Sequence, residues 1–176
     1  MTADHCPDFD FQQGRWTVKH RRLKVRLAGC TEWETFDGTS EQRPLLGGNG
    51  NIEDNLLHLP DGDYRAVALR SWDAATGDWA IWWLDDRNPH ALDVPVVGRF
   101  EDGVGRFYAD DRHDGRPVRL RFLWLGADTG TPRWEQACRT TAGKAGKPTG
   151  PWISAGRSRP PSARHTSGPD RIPLPM

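Results

Sequence analysis

Two groupings of side chains in this sequence could do chemistry. The first is aromatic. Trp16, Trp33, Trp72, Trp79, Trp82, Trp83, Trp124 and Trp134 are eight of the nine tryptophans. Indoles around an enclosed space bind a flat or apolar molecule, with their N–H groups as fixed donors. The residues expected to contact such a ligand are Trp16, His20, Trp33, Arg70, Trp72 and Trp83. His20 shares its alternation with Trp16 and Val18, which turns it inward. An inward Arg70 could hold a carboxylate or phosphate by a bidentate contact. Each has a plainer reading. Large aromatics also fill small cores, and His20-Arg21-Arg22 could be a solvated strand end paired with Glu32 or Glu34.

The second grouping is acidic. Asp85-Asp86-Arg87-Asn88-Pro89-His90 places two carboxylates, an Arg and a His after an apolar run. That set could support acid–base chemistry or a metal. Asp and Asn before Pro also simply end strands. Asp110-Asp111-Arg112-His113-Asp114-Gly115 offers oxygen ligands for a hard cation but lacks the spacing of a calcium loop, so it reads better as a hairpin turn. Gly47–Asn51 could cradle a phosphate, yet no helix follows it, and a turn is favoured there too. Haem would need an inward His, for which His20 and His58 are the strand candidates. HExxH, GxxxxGK[ST] and GxSxG are absent. No catalytic residue is assigned, and neither a metal nor a cofactor is expected.

The elements that must position these residues are strands. Trp16, Val18 and His20 alternate with Thr17, Lys19 and Arg21. Residues 22–29 could be a strand end or a helical turn. In 30–46, Trp33, Thr35 and Asp37 share one face, opposite Glu32, Glu34 and Phe36. Further strands are expected around 52–59, 64–72, 79–84, 96–101, 105–110, 117–125 and from 133. The run WAIWWL is apolar on both faces, as in a strand covered on both sides. Turn chemistry separates these runs: Pro60-Asp61-Gly62, Asp102-Gly103 and Asp114-Gly115. No segment carries a 3.6-residue apolar stripe of helix length. About nine short strands with recurring turns make an antiparallel meander, sandwich or barrel.

The 176 residues suit one domain, and their zero net charge hides a split. Residues 1–137 hold 17 Lys+Arg against 23 Asp+Glu, whereas 138–176 hold seven against Asp170 alone. The latter stretch also carries seven of the 14 prolines and no periodicity. It therefore cannot bury enough surface to offset its ordering entropy. Overall neutrality argues against nucleic-acid binding by bulk charge. No apolar run of about 18 residues suggests a membrane helix. The acidic start lacks the apolar core of a secretory signal, and three scattered cysteines suit a reducing compartment. A cytoplasmic location follows as an expectation.

The stretches FDFQQGRWTVKHRRL, RPLLGGNGNIEDN, YRAVALRSWD, IWWLDDRNP and VVGRFEDGVGRFYADD resemble a family of uncharacterised bacterial proteins. The resemblance covers most of residues 8–137 and implies a lipocalin-like (calycin) β-barrel. It implies no substrate. Gly14-x-Trp16 is similar to the first-strand motif of lipocalins, whose Trp closes the barrel base under an Arg of the last strand. The family typically ends on a segment like EQAxSxDGGxTWETNWxMxF. The chain matches it through Trp134-Glu135-Gln136-Ala137 and departs at Cys138. Back-translating 137–157 and sliding the frame permits LSDDGGKGWETNWTMDISR, which restores the match. A frameshift just before Cys138 would account for this. The gene's nucleotide sequence decides the point, because stop codons in the alternate frame would end the idea.

The expectation is thus an all-β, up-and-down, lipocalin-like barrel over residues 8–137, incomplete at its last strands, with a non-native or disordered tail over 138–176. Its function is binding of a small, largely apolar molecule. The alternatives are an enzyme using Asp85, Asp86 and His90, or an interaction protein with a filled core. Nucleic acid and membrane are not expected as partners. The oligomeric state is open, a homodimer included.

Overall fold

The computed structural model describes residues 5–141 and the backbone of residues 153–158. Nine strands follow one another as an antiparallel meander. They are β1 (Gly14–Leu23), β2 (Trp33–Leu45), β3 (Gly50–Leu59), β4 (Gly62–Asp73), β5 (Asp78–Asp85), β6 (Val96–Glu101), β7 (Val104–His113), β8 (Arg116–Leu125) and β9 (Arg133–Thr140). By themselves they form an open, strongly curled sheet with β1 and β9 as its edges. The backbone of β10 (Ile153–Ser158) lies between those edges and closes the ring. Its residues 153–158 pair with Cys138–Arg133, and its residues 156–158 pair with Arg21–Lys19. Closure removes the unpaired edges that an open sheet would expose.

The expected boundary at Ala137 falls within β9. Strand β9 runs through it to Thr140, with Cys138 buried. The position of the closing strand is occupied by residues 153–158 of the chain as it stands. The rest of the expected tail, 142–152 and 159–176, lies outside the described residues.

Period-2 alternation sets what faces inward. On β1, Val18 and His20 are buried between exposed Thr17, Lys19 and Arg21. On β4, the inward set is Ala66, Ala68 and Arg70. The Asp-Gly pairs behave as their chemistry dictates. Asp102-Gly103 and Asp114-Gly115 carry positive φ at both residues, the mirror-image turn that matches strand twist in tight hairpins. Residues 22–29 are not helical: β1 ends at Leu23 and the chain bends, with Leu27 and Gly29 at positive φ.

One end of the ring is stoppered by a 3-10 helix, Pro7–Gln12. Phe9, 2% exposed, is its stopper. Its ring meets Trp79 edge-on at 5.0 Å, Phe100 at 5.1 Å and Trp124 at 6.0 Å. Ile81, Val96, Phe107 and Ala109 complete this core. Polar contacts pin the plug. Trp16 donates its indole N–H to the Gln12 carbonyl at 2.8 Å, Trp79 donates to Asp8 at 3.1 Å, and Gln42 donates to the Phe9 carbonyl at 3.0 Å. Among the described residues, no helix is long and apolar enough to cross a membrane.

Candidate functional site

Among the described residues, the side chains do not fill the ring. Above the plug lies a cavity of about 220 Å³. Its existence traces to side-chain size. Ala68, directly opposite Trp83 in the β4–β5 register, presents only a methyl group to the interior. Across the ring, Phe122, Trp124 and Trp134 form the facing wall, and Phe122 meets Trp134 edge-on at 5.0 Å. Trp124 and Trp134 are direct cross-strand partners on β8 and β9.

The floor is polar and charged. Arg70 on β4 projects inward and is 2% exposed. It donates to Gln42 Oε1 and Asn51 Oδ1, both at 2.9 Å, and pairs with the Glu53 carboxylate. Its guanidinium also lies 4.9 Å from the Phe9 ring centre and 5.8 Å from that of Trp124. Taking a lone guanidinium out of water would cost several kcal/mol, and this one is held by carboxylate, amide and π faces together. It ties the plug to the cavity floor.

The mouth lies at the other end of β4 and β5. Tyr64, Asp85, Arg87 and Asp93 line it, with Arg26 from the β1–β2 connection. Arg87 stacks 3.7 Å above the Tyr64 ring and grips Asp85 with two side-chain hydrogen bonds, the shorter 2.7 Å. That grip holds the Asp85 carboxyl below its ordinary range. Asp93 sits on the loop after β5, which folds back so that the Asp93 N–H bonds the Trp83 carbonyl at 2.9 Å. Its carboxyl is held above the ordinary range, first by lost hydration and then by the charges of Asp111 and Asp85, with Arg26 opposing.

The residues expected to bind ligand are thereby sorted. Arg70 and Trp83 line the cavity, one at the floor and one on the wall. Trp16, His20, Trp33 and Trp72 are not among its lining residues. Trp16 pins the plug, and Trp72 packs beside the core around it. His20 does point inward, where it stacks flat on Phe36 at 4.7 Å. Trp33 lies under the Arg21 guanidinium at 4.4 Å. Arg22 is paired with Glu34 and Lys24 with Glu32, the cross-hairpin arrangement that competed with a ligand role for this basic segment.

The acidic loop does not assemble an acid–base set. Asp86 accepts the Arg65 N–H at 3.1 Å, Asp85 is held by Arg87, and His90 is exposed with no bond to either among the described residues. His58 is exposed and bonds Asp63 at 2.9 Å. The Gly47–Asn51 turn is engaged by the N-terminal segment: the Gly48 carbonyl meets His5 and Asn49 Oδ1 accepts the Cys6 N–H. Asp110 is paired with Arg119 at 2.8 Å. Among the described residues, no three His, Cys, Asp or Glu side chains converge as metal ligands would.

Reading the sequence missed the plug, Glu53, Tyr64, Phe122, Gln136 and Asp93. A signal existed for the plug alone: two Phe after Pro7, in an otherwise acidic start, ahead of the first strand. The others are ordinary strand or loop residues until the ring closes around them. The chain matches no family model and no curated protein.

Proposed function

We propose that this chain is a binding protein for a small, largely apolar molecule held in the barrel cavity. The observation that carries this reading is the void itself, walled by Trp83, Phe122, Trp124 and Trp134 over a buried polar floor. Drug-sized ligands occupy roughly 300–1,000 Å³, whereas an apolar cavity of about 150 Å³ takes benzene. A space of about 220 Å³ therefore suits a molecule of one or two rings. The barrel is of the lipocalin-like kind on this reading. Support comes from the up-and-down meander and from Gly14-x-Trp16, whose Trp secures the plug at the barrel base.

The test is a pair of measurements. Native mass spectrometry of protein purified from its own host should show a retained small molecule. Calorimetric titration with indole should show binding to the full chain and none to Ala68→Leu, whose added carbons fill the space opposite Trp83. Equal indole binding by a folded Ala68→Leu variant would end the cavity reading.

A further inference from the structure

Most of the polar groups that line the cavity are engaged by one another or by water. Glu53 is paired with Arg70 at the floor, and Asp85 with Arg87 at the mouth. Tyr64 lies under the Arg87 guanidinium. Arg26 and Asp93, also at the mouth, are exposed. Two further groups belong to the aromatic wall. Trp124 has an indole N–H without a partner among the described residues, but that nitrogen is itself buried, in a ring packed against Phe9 and Phe11. It offers a ligand no surface. The other group is the side chain of Gln136 on β9.

Alternation on β9 turns Gln136 to the same side as Trp134, and both line the cavity. Gln136 stands directly opposite Phe122 on β8. Its side chain is therefore half-buried between two aromatic neighbours. Among the described residues its carboxamide makes no hydrogen bond, and its polar atoms are not sealed by packing as the Trp124 nitrogen is. A carboxamide presents a carbonyl acceptor and an N–H donor side by side. Set against aromatic rings without a partner, both give up hydration for nothing in return.

Resting on the binding function proposed above, we infer that the ligand carries a cis-amide edge, as in an aromatic lactam or carboxamide, that pairs with Gln136. The ligand carbonyl accepts from the Gln136 Nε2–H, and the ligand N–H donates to Oε1. The two bonds run in parallel, and the one- or two-ring body fills the space between Trp83 and the facing wall. A single well-placed polar group in an apolar pocket fixes a ligand's orientation in this way. A ligand with only the donor or only the acceptor leaves half of the carboxamide unpaired.

Four uncharged two-ring probes of similar size test this. Oxindole carries both groups, indanone the acceptor, indole the donor, and indane neither. Each is titrated calorimetrically into the full chain and into Gln136→Met, which keeps the length of the side chain. On the full chain, oxindole is expected to bind about tenfold or more tightly than indane, with the other two between them. Gln136→Met should remove that advantage and leave indane binding unchanged. Oxindole binding no tighter than indanone and indole, or an advantage over indane that survives Gln136→Met, would overturn the inference. Should Gln136→Met fail to fold, the order of the probes on the full chain decides. Binding of indane or indole without a preference for oxindole defeats this inference alone. Binding of none of the four defeats the cavity function and this inference with it.

Discussion

Arg70 and Glu53 form an ion pair inside the barrel, their side chains 3% and 2% exposed. They belong to adjacent strands yet are not register partners. Arg70 stands opposite Asn51, and Glu53 opposite Ala68. The pair therefore runs diagonally across β3 and β4, below the cavity and above the plug. Removing one partner strands a charge in a dry interior. Glu53→Ala is expected to lower stability by about 3–5 kcal/mol, whereas the joint change Glu53→Gln with Arg70→Met costs less than Glu53→Ala alone. Urea unfolding of both variants checks this, and equal losses would contradict it.

The plug should behave as part of the core. Phe9→Ala removes a ring that touches Trp79, Phe100 and Trp124, and is expected to cost about 3–5 kcal/mol. Asp8→Ala removes only the acceptor of the Trp79 indole N–H, and its cost should be near 1 kcal/mol. Thermal or urea unfolding separates the two. A Phe9→Ala variant as stable as the parent would mean that the N-terminal segment is dispensable for the fold.

Asp85 and Asp93, neighbours at the mouth, should respond to pH with opposite signs. The carboxyl of Asp85 is lowered in the fold by Arg87. Its stabilisation is therefore present at neutral pH and lost as pH falls below the unfolded value of about 3.9 and through the lower folded one. The carboxyl of Asp93 is raised in the fold, so at neutral pH it destabilises, and that penalty fades as pH falls through its folded value. Asp85→Asn should lower the urea midpoint at neutral pH, and Asp93→Asn should raise it. Both differences from the parent should shrink as pH is brought to about 3 or below. Midpoints that move in the same direction at neutral pH would contradict these assignments.

Gly98 on β6 is held by its neighbour rather than by a turn. A Cβ built there would lie 1.9 Å from the Arg106 carbonyl oxygen. The obstacle is backbone, which cannot swing aside as a side chain can. Gly98→Ala is expected to separate β6 from β7 and leave little folded protein at 37 °C. Circular dichroism and hydrogen exchange of the β6–β7 amides would register it. Ala80→Gly, on the neighbouring strand β5, serves as the control and should cost no more than about 1 kcal/mol.

Much of this architecture is legible in the chain without a structure. Alternation at Trp16-Thr17-Val18-Lys19-His20 places a strand and its inner face, because side-chain direction reverses at every residue of an extended chain. Asp102-Gly103 and Asp114-Gly115 announce their turns, because few other residue pairs tolerate positive φ twice in succession. The inward orientation of His20 follows from the same periodicity, whereas for Arg70 alternation sets it with Ala66 and Ala68, opposite the larger Val67 and Leu69, without saying which face is the core. The candidate cavity was only half legible. Arg70 and Trp83 line it, but Trp16, His20, Trp33 and Trp72 face the same interior at other heights, or lie off it.

What periodicity supplies is a side for each residue, not its height or its neighbour. Height depends on the stagger between strands, and neighbours across the ring depend on closure. Only the tertiary structure brought Phe122 and Trp134 opposite Trp83 and left the space that Ala68 does not fill. It alone set Glu53 beneath that space, paired with Arg70, and set Phe9 under Arg70 as the stopper. It also folded the loop after β5 so that Asp93, an ordinary loop carboxylate by sequence, stands at the rim. Contacts of this kind join residues far apart in the chain, and local conformational preference carries no information about them.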